Sequence, residues 1–115
     1  MRQDPIAGFS SSEADLLEVQ VLGGDALVIR VRGELDLSNA YLLNQELRLA
    51  ELSDAKEIVV DLGGLSFVDS SGLHVLLKAA DREPKRLRIR PAPPVVQSVF
   101  RMTRTDKLLP FMDAA

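Results

Sequence analysis

The chain has no cysteine and no tryptophan among its 115 residues. It can therefore form no disulfide, no thiol nucleophile and no cysteine-ligated metal site. A single histidine, His74, is too few for an all-protein zinc centre of the usual kind. Aromatic residues make up only 4 %, so the packing must come from Leu, Val, Ile and Ala, which raise the hydrophobic share to 46 %. Positive charge is also short: the net charge is −3, which argues against a surface built for nucleic acid or anionic membranes. No apolar run approaches the roughly 20 residues of a membrane span, and the N-terminus lacks the apolar stretch of a signal peptide. These absences point to one small cytoplasmic domain without a cofactor.

The ordered pattern begins after a polar leader. Residues 1–13 carry Pro5, Gly8 and Ser10-Ser11-Ser12, and are expected to form a mobile tail ahead of a domain over 14–115. Leu17, Val19 and Val21 then alternate with Glu18 and Gln20, the period of a half-buried strand. Gly23-Gly24-Asp25 signals a turn, and Ala26 to Val31 a second strand that closes at Gly33. Ser38, or Asp36, is placed to cap a helix running to about Leu52 with Ala40, Leu43, Leu47 and Ala50 inward. Ile58-Val59-Val60 reads as a covered strand, expected to break at Gly63-Gly64.

After Phe67-Val68, the turn Asp69-Ser70-Ser71-Gly72 leads into a second helix, with Ser70 as its expected cap and Leu73, Leu76, Leu77 and Ala80 facing the core. Leu87 and Ile89 alternate with Arg86, Arg88 and Arg90, a strand whose basic face is expected to keep it soluble and block edge pairing. Pro93-Pro94 opens a third helix, expected to turn Val95, Val96, Val99, Phe100 and Met102 inward. Leu108 to Met112 reads as a strand end interrupted at Pro110.

Strands alternating with helices imply a sheet covered by helices. The passage from Val31 through the first helix to Val60 is a βαβ unit, so its strands should be parallel and the crossover right-handed. Both strands then end on the same edge of the sheet. Asp36 follows one strand and Asp69, Ser70 and Ser71 follow the other, so these acidic groups and hydroxyls should be neighbours.

Three segments carry a family resemblance. Leu65-Ser66-Phe67-Val68-Asp69-Ser70-Ser71-Gly72-Leu73-His74-Val75-Leu76-Leu77 resembles the signature of the STAS anti-sigma factor antagonists of sporulation and general stress pathways. Gly33-Glu34-Leu35-Asp36 resembles a second hallmark, and Met102-Thr103 through Leu108-Leu109-Pro110 a third. The resemblance implies a STAS-like α/β fold, a mixed sheet of four to five strands with helices chiefly on one face. It implies a phosphorylation site at Ser71, with Asp36, Asp69, Ser70 and Gly72 around it. It implies as partners an anti-sigma factor serine kinase of histidine-kinase-like fold and a serine phosphatase, with no direct nucleic acid or membrane contact and a monomeric state. The unphosphorylated antagonist would bind the anti-sigma factor and free its sigma factor; the phosphorylated form would let go.

Three departures accompany the resemblance. Arg104-Thr105 stands where a glycine-containing turn is common, the leader is longer than usual, and relatives continue past the position of Ala115 into another helix, which is expected to alter one edge of the partner surface.

Two other readings compete. A STAS module can serve instead as a scaffold or in a transport-associated complex. A serine hydrolase using Ser71, His74 and Asp69 is the rival from another class, but Gly-x-Ser-x-Gly and an evident oxyanion hole are missing, so no catalysis is expected. Because the leader has few apolar groups to bury, deleting residues 1–12 should leave the thermal midpoint almost unchanged in a melting experiment. A loss of several degrees would place the domain boundary earlier.

Overall fold

The structure is a computed structural model that describes residues 16–113. The expected leader and its boundary after Glu13 lie outside the described residues. Four strands form one sheet in the order β1 (Leu17–Leu22), β2 (Ala26–Leu35), β3 (Glu57–Val68) and β4 (Leu87–Arg90). The β1–β2 pair is antiparallel, a hairpin about Gly23-Gly24, while β2–β3 and β3–β4 are parallel. Three helices complete the fold: α1 (Ala40–Glu51), α2 (Ser70–Arg82) and α3 (Pro94–Met102). A single 3₁₀ turn, Thr105–Lys107, follows α3.

The sheet has one apolar and one polar face. Ile29 and Val31 of β2, Ile58, Val60 and Leu62 of β3, and Leu87 and Ile89 of β4 are buried in a single core. That core takes Ala40, Leu43, Leu47 and Ala50 from α1, as their spacing predicts, and Leu73, Leu76 and Ala79 from α2. Leu77 and Ala80, expected inward, are only half-buried; Ala79 holds the inner position. In α3 the helical phase set by Pro94 points Val96 and Phe100, four residues apart, into the core. Val95 and Met102 therefore fall on the outer side, more than 80 % exposed, against expectation. The outer edge of β4 is partly covered by the chain end: Phe111 bridges Ile89 and meets the Phe100 ring edge-on at 5.1 Å.

Gly63-Gly64 does not break β3. The strand continues to Val68 through two irregularities. Arg30 and Arg32 oppose Asp61 and Gly64, and Gly33 and Glu34 oppose Leu65 and Phe67. At each point β3 holds one residue more than β2, the geometry of a β-bulge, which glycine accommodates readily. Gly33 is required by its own surroundings: its φ is +103°, and a Cβ would strike the Leu16 carbonyl oxygen. Past α3, Arg104 takes the left-handed conformation that glycine would otherwise supply, with φ 62°. Thr105 Oγ1 donates to the Phe100 carbonyl at 3.3 Å there, which secures the turn without glycine.

Arg86 was expected on the basic strand face, yet it precedes β4 and turns toward the ends of two helices. Its Nη1 donates to the carbonyls of Ser53 and Ala55 at 3.0 and 2.9 Å, and its Nη2 to the carbonyl of Glu51 at 2.7 Å. Nε and Nη2 grip the Glu83 carboxylate at 2.9 and 3.0 Å. The guanidinium thus satisfies carbonyls left open at the C-terminus of α1 and ties them to the end of α2. Glu51 and Arg82 add a two-pronged pair at 2.8 Å between the same helix ends.

The hydrogen bonds from Arg86, reinforced by its charge, hold the Glu83 carboxyl below its ordinary value. A lowered folded value means stability that is present above the unfolded value and lost as pH falls through the folded one. Arg86→Lys should lower the thermal midpoint by several degrees, since an ammonium cannot reproduce the planar fork, whereas Arg88→Lys should shift it by about one. The deficit of Glu83→Gln should be largest at neutral pH and vanish in acid, as read by urea unfolding across pH.

Candidate functional site

The parallel pairing of β2 and β3 brings two loops to one end of the sheet. Backbone joins them first: the Asp69 N–H donates to the Leu35 carbonyl at 3.2 Å. The Asp69 side chain then does more than the sequence suggests. Its Oδ1 accepts from the N–H groups of Ser71 at 2.8 Å and Gly72 at 3.3 Å, which makes Asp69, and not Ser70, the N-cap of α2. Its Oδ2 accepts from the Leu37 N–H at 3.2 Å, across 32 residues of sequence. One carboxylate therefore caps the helix and clasps the neighbouring loop.

The Asp36 loop is folded by short polar contacts of its own. Asp36 Oδ1 accepts from the Ser38 N–H at 3.0 Å and the Ser38 hydroxyl at 2.6 Å. These bonds make a turn ahead of α1, so neither Ser38 nor Asp36 caps the helix in the usual sense; α1 starts at Ala40 with Asn39 before it. Asn39, which sequence reasoning overlooked, is buried. Its Oδ1 accepts from the Asp36 N–H and its Nδ2 donates to the Glu34 carbonyl, both at 2.9 Å. A buried amide meets the demand of a tight loop for both a donor and an acceptor. Its one trace in the sequence is a polar residue immediately before the apolar stripe of α1.

Asp36, Leu37, Ser38 and Asp69 line one open depression at this end. Ser70 is exposed and Ser71 half-buried in the first turn of α2. Among the described residues, neither hydroxyl is committed to a hydrogen bond. Gly72 is buried, and a Cβ there would lie 2.7 Å from Leu35 Cδ2 and 2.9 Å from Val68 Cγ2. Its missing side chain lets the start of α2 sit directly on the ends of β2 and β3. Of the lining residues Leu37 is a large apolar group in water, at 80 % exposure, and Tyr41 in the first turn of α1 is 57 % exposed.

A hydrolytic triad is not assembled here. The Asp69 carboxylate is engaged by three backbone N–H groups, and His74 lines a separate groove with Leu77, Lys78, Asp81 and Leu108. Among the described residues, no group of three or more His, Asp or Glu side chains could hold a metal ion, and no helix is long and apolar enough to cross a membrane.

Comparison with known proteins gives these loops a context. The sequence model of the family described as "Mlab, STAS domain" matches residues 19–110. An anti-sigma factor antagonist from Mycobacterium paratuberculosis has a similar structure, with TM-score 0.76 and 24 % identity over 85 % of this chain and 86 % of that one. The anti-sigma factor antagonist SpoIIAA in its unphosphorylated form matches with TM-score 0.64 and 25 % identity, over 86 % of this chain and 88 % of that one. The phosphorylated form of the Bacillus SpoIIAA also matches, with TM-score 0.58 and 24 % identity over 86 % of this chain and 91 % of its own.

Because the Asp69 carboxylate serves two loops, Asp69→Ala should cost about 1–2 kcal/mol in urea unfolding from the lost cap alone. Amide exchange should rise at Leu37 as well as at Ser71 and Gly72. Faster exchange confined to α2 would mean that the clasp on Leu37 is not made in solution.

Proposed function

The chain belongs to the STAS domain family, and on that premise we propose that it is an anti-sigma factor antagonist switched by phosphorylation of Ser71. The observation that carries this reading is the placement of Ser71: a hydroxyl without a hydrogen-bond partner among the described residues, in the first turn of a helix, beside a capping carboxylate. A kinase can approach such a hydroxyl without unfolding the domain. The family resemblance of Asp69-Ser70-Ser71-Gly72, together with similar antagonist structures in unphosphorylated and phosphorylated forms, supports the same assignment.

The mechanism is electrostatic. A phosphoserine carries about −1.5 to −2 charges at neutral pH. On Ser71 it would sit at the positive end of α2, where N–H groups favour an anion, but those of Ser71 and Gly72 already serve the Asp69 carboxylate. Phosphate and carboxylate would compete for the same donors and repel each other, with Asp36 adding to the field from the next loop. A partner packed over this end would have to desolvate the excess charge, at a cost of several kcal/mol. Every 1.4 kcal/mol is about tenfold in affinity, so release by a hundredfold or more follows.

In this reading the protein acts by binding, in the cytoplasm and as a monomer. Its partners are an anti-sigma factor kinase that uses ATP and a serine phosphatase that resets the switch, in a sporulation or general stress pathway. Exposed Leu37, bonded through its N–H to Asp69, gives the partner apolar surface on the same loop junction. The family description by "Mlab" rather than by antagonists favours a second reading, a STAS module of another signalling or transport-associated complex, in which Ser71 stays unmodified.

Incubation with ATP and the cognate kinase should add one phosphate, located on Ser71 by mass spectrometry. Calorimetry should show Ser71→Ala binding the partner about as well as the unmodified protein, and Ser71→Asp binding it more weakly. Phosphate found only on Ser70, or loss of partner binding in Ser71→Ala, would falsify the assignment.

A further inference from the structure

The two edges of the sheet are finished differently. At one edge β4 is four residues long, is followed by Pro91 and is bridged by Phe111 of the same chain. At the other lies β1, and among the described residues no strand pairs beyond it. β1 has none of the usual edge protections. It contains no proline and no lysine, and it pairs with β2 in one unbroken register, without a bulge. An open edge of this kind is a template for a further strand.

One contact fixes which backbone groups that edge presents. The Glu34 N–H donates to the Leu16 carbonyl at 2.7 Å, so Leu16 points its carbonyl toward β2. Backbone direction alternates along an antiparallel strand, so Glu18, Gln20 and Leu22 also turn their polar groups to β2. The N–H and carbonyl groups of Leu17, Val19 and Val21 therefore point out of the sheet edge. Side chains alternate as well: Leu17, Val19 and Val21 lie on the core face, and Glu18, Gln20 and Leu22 on the other.

The segment from Leu16 to Leu22 is complementary to itself. A two-fold axis through Val19, perpendicular to the sheet, sets Val19 against Val19, Leu17 against Val21, Glu18 against Gln20 and Leu16 against Leu22. In that register Val19–Val19 and Leu17–Val21 are hydrogen-bonded pairs, which use every outward N–H and carbonyl of the strand. Each pair joins residues of the same face, so both cores stay on one side. Val21, Leu16 and Leu22, at 45 %, 48 % and 36 % exposure, all meet apolar partners, and each Glu18 meets an amide. Neighbouring registers fit worse. An axis at Glu18 opposes two carboxylates, and an axis at Gln20 sets Glu18 against Leu22 and Leu17 against Gly23.

We infer that the β1 edge is a self-association surface, on which a second copy of this chain pairs antiparallel through Leu17–Leu22 about an axis at Val19. The two sheets then run on as one, with all helices on the same side. A contact through one short strand lies at the small end of specific interfaces, so the pair is reversible. The monomer of the reading above is its dissociated form. The pairing does not use Ser71 and is independent of the phosphorylation reading.

Sedimentation of the whole chain up to about 1 mM should show a reversible monomer–dimer equilibrium, the same in Ser71→Ala. Amide exchange at Leu17, Val19 and Val21 should slow as concentration rises, while Glu18 and Gln20 stay protected throughout. Gln20→Glu places a carboxylate opposite each Glu18 and should weaken the dimer about fivefold. The fold should not suffer, since position 20 is level with Arg30. Adding Glu18→Gln restores the net charge and the pairing together, and should return the affinity to that of the wild type. Val21→Pro removes an N–H that β2 does not use, and should abolish the dimer in a chain that is still folded by circular dichroism. A monomer at every concentration, or protection at Leu17, Val19 and Val21 that ignores concentration because residues 1–15 cover the edge, would overturn the inference. So would a dimer indifferent to Gln20→Glu, or one that Glu18→Gln does not rescue.

Discussion

The end of the sheet where the two loops meet depends on the carboxylate of Asp69. With one oxygen it caps α2 and with the other it holds Leu37, so the two loops that follow the parallel strands become one surface. The same bonds that stabilise the fold here also set the chemistry. Three N–H groups that could receive an added anion are already turned toward a fixed one. A negative charge added on Ser71, as proposed above, would arrive in a site whose donors are taken, and a small covalent change would then be large in energy. Asn39 supports the arrangement from below by fixing the backbone at Asp36 and Glu34, so the clasp has a rigid base.

At the other end of the helices, charge is used differently. Arg86 gathers three carbonyls and the Glu83 carboxylate, and Arg82 pairs with Glu51, so the C-termini of α1 and α2 are bound by guanidinium groups. An acid at the start of α2, Arg82 in its last turn and Arg86 beyond it also agree with the helix dipole. The apolar core between them needs only aliphatic side chains and Phe100, in keeping with a composition poor in aromatics. Polar clamps at both ends orient what the core merely holds together.

The sequence displayed periodic features clearly and singular ones poorly. Ala40, Leu43, Leu47 and Ala50 repeat at helical spacing, and burial follows that spacing. The βαβ unit could be inferred from the order of the segments, and with it the meeting of the Asp36 and Asp69 loops. Asp69 and Ser70 are adjacent residues that both cap helices well, and only the extended backbone of Asp69 decides between them. Arg86 sat in an alternating run with Arg88 and Arg90, so pattern alone assigned it to their face; the open carbonyls of α1 that it serves lie more than 30 residues away. Gly63-Gly64 has the composition of a break, while pairing on both sides keeps the strand going. For Arg86 and Gly63-Gly64 the deciding partner is distant in the chain, where local pattern has no reach.

The two bulges in β3 have a consequence for how this domain tolerates change. Each adds a residue to β3 relative to β2, and each resets which side of the sheet the following side chains occupy. Leu62 and Leu65, and Leu65 and Val68, are each three residues apart yet share the core face. Taking out one residue at either bulge leaves the spacing of two that a plain strand uses and keeps the flanking side chains inward. The extra residues are dispensable to the core, and what they add is local: a bend and a stronger twist in β3 on its way to Asp69. The segment leading to Ser71 can accordingly lose a residue at a bulge more readily than within the regular run 58–62, where a single deletion would turn every side chain beyond it to the other face.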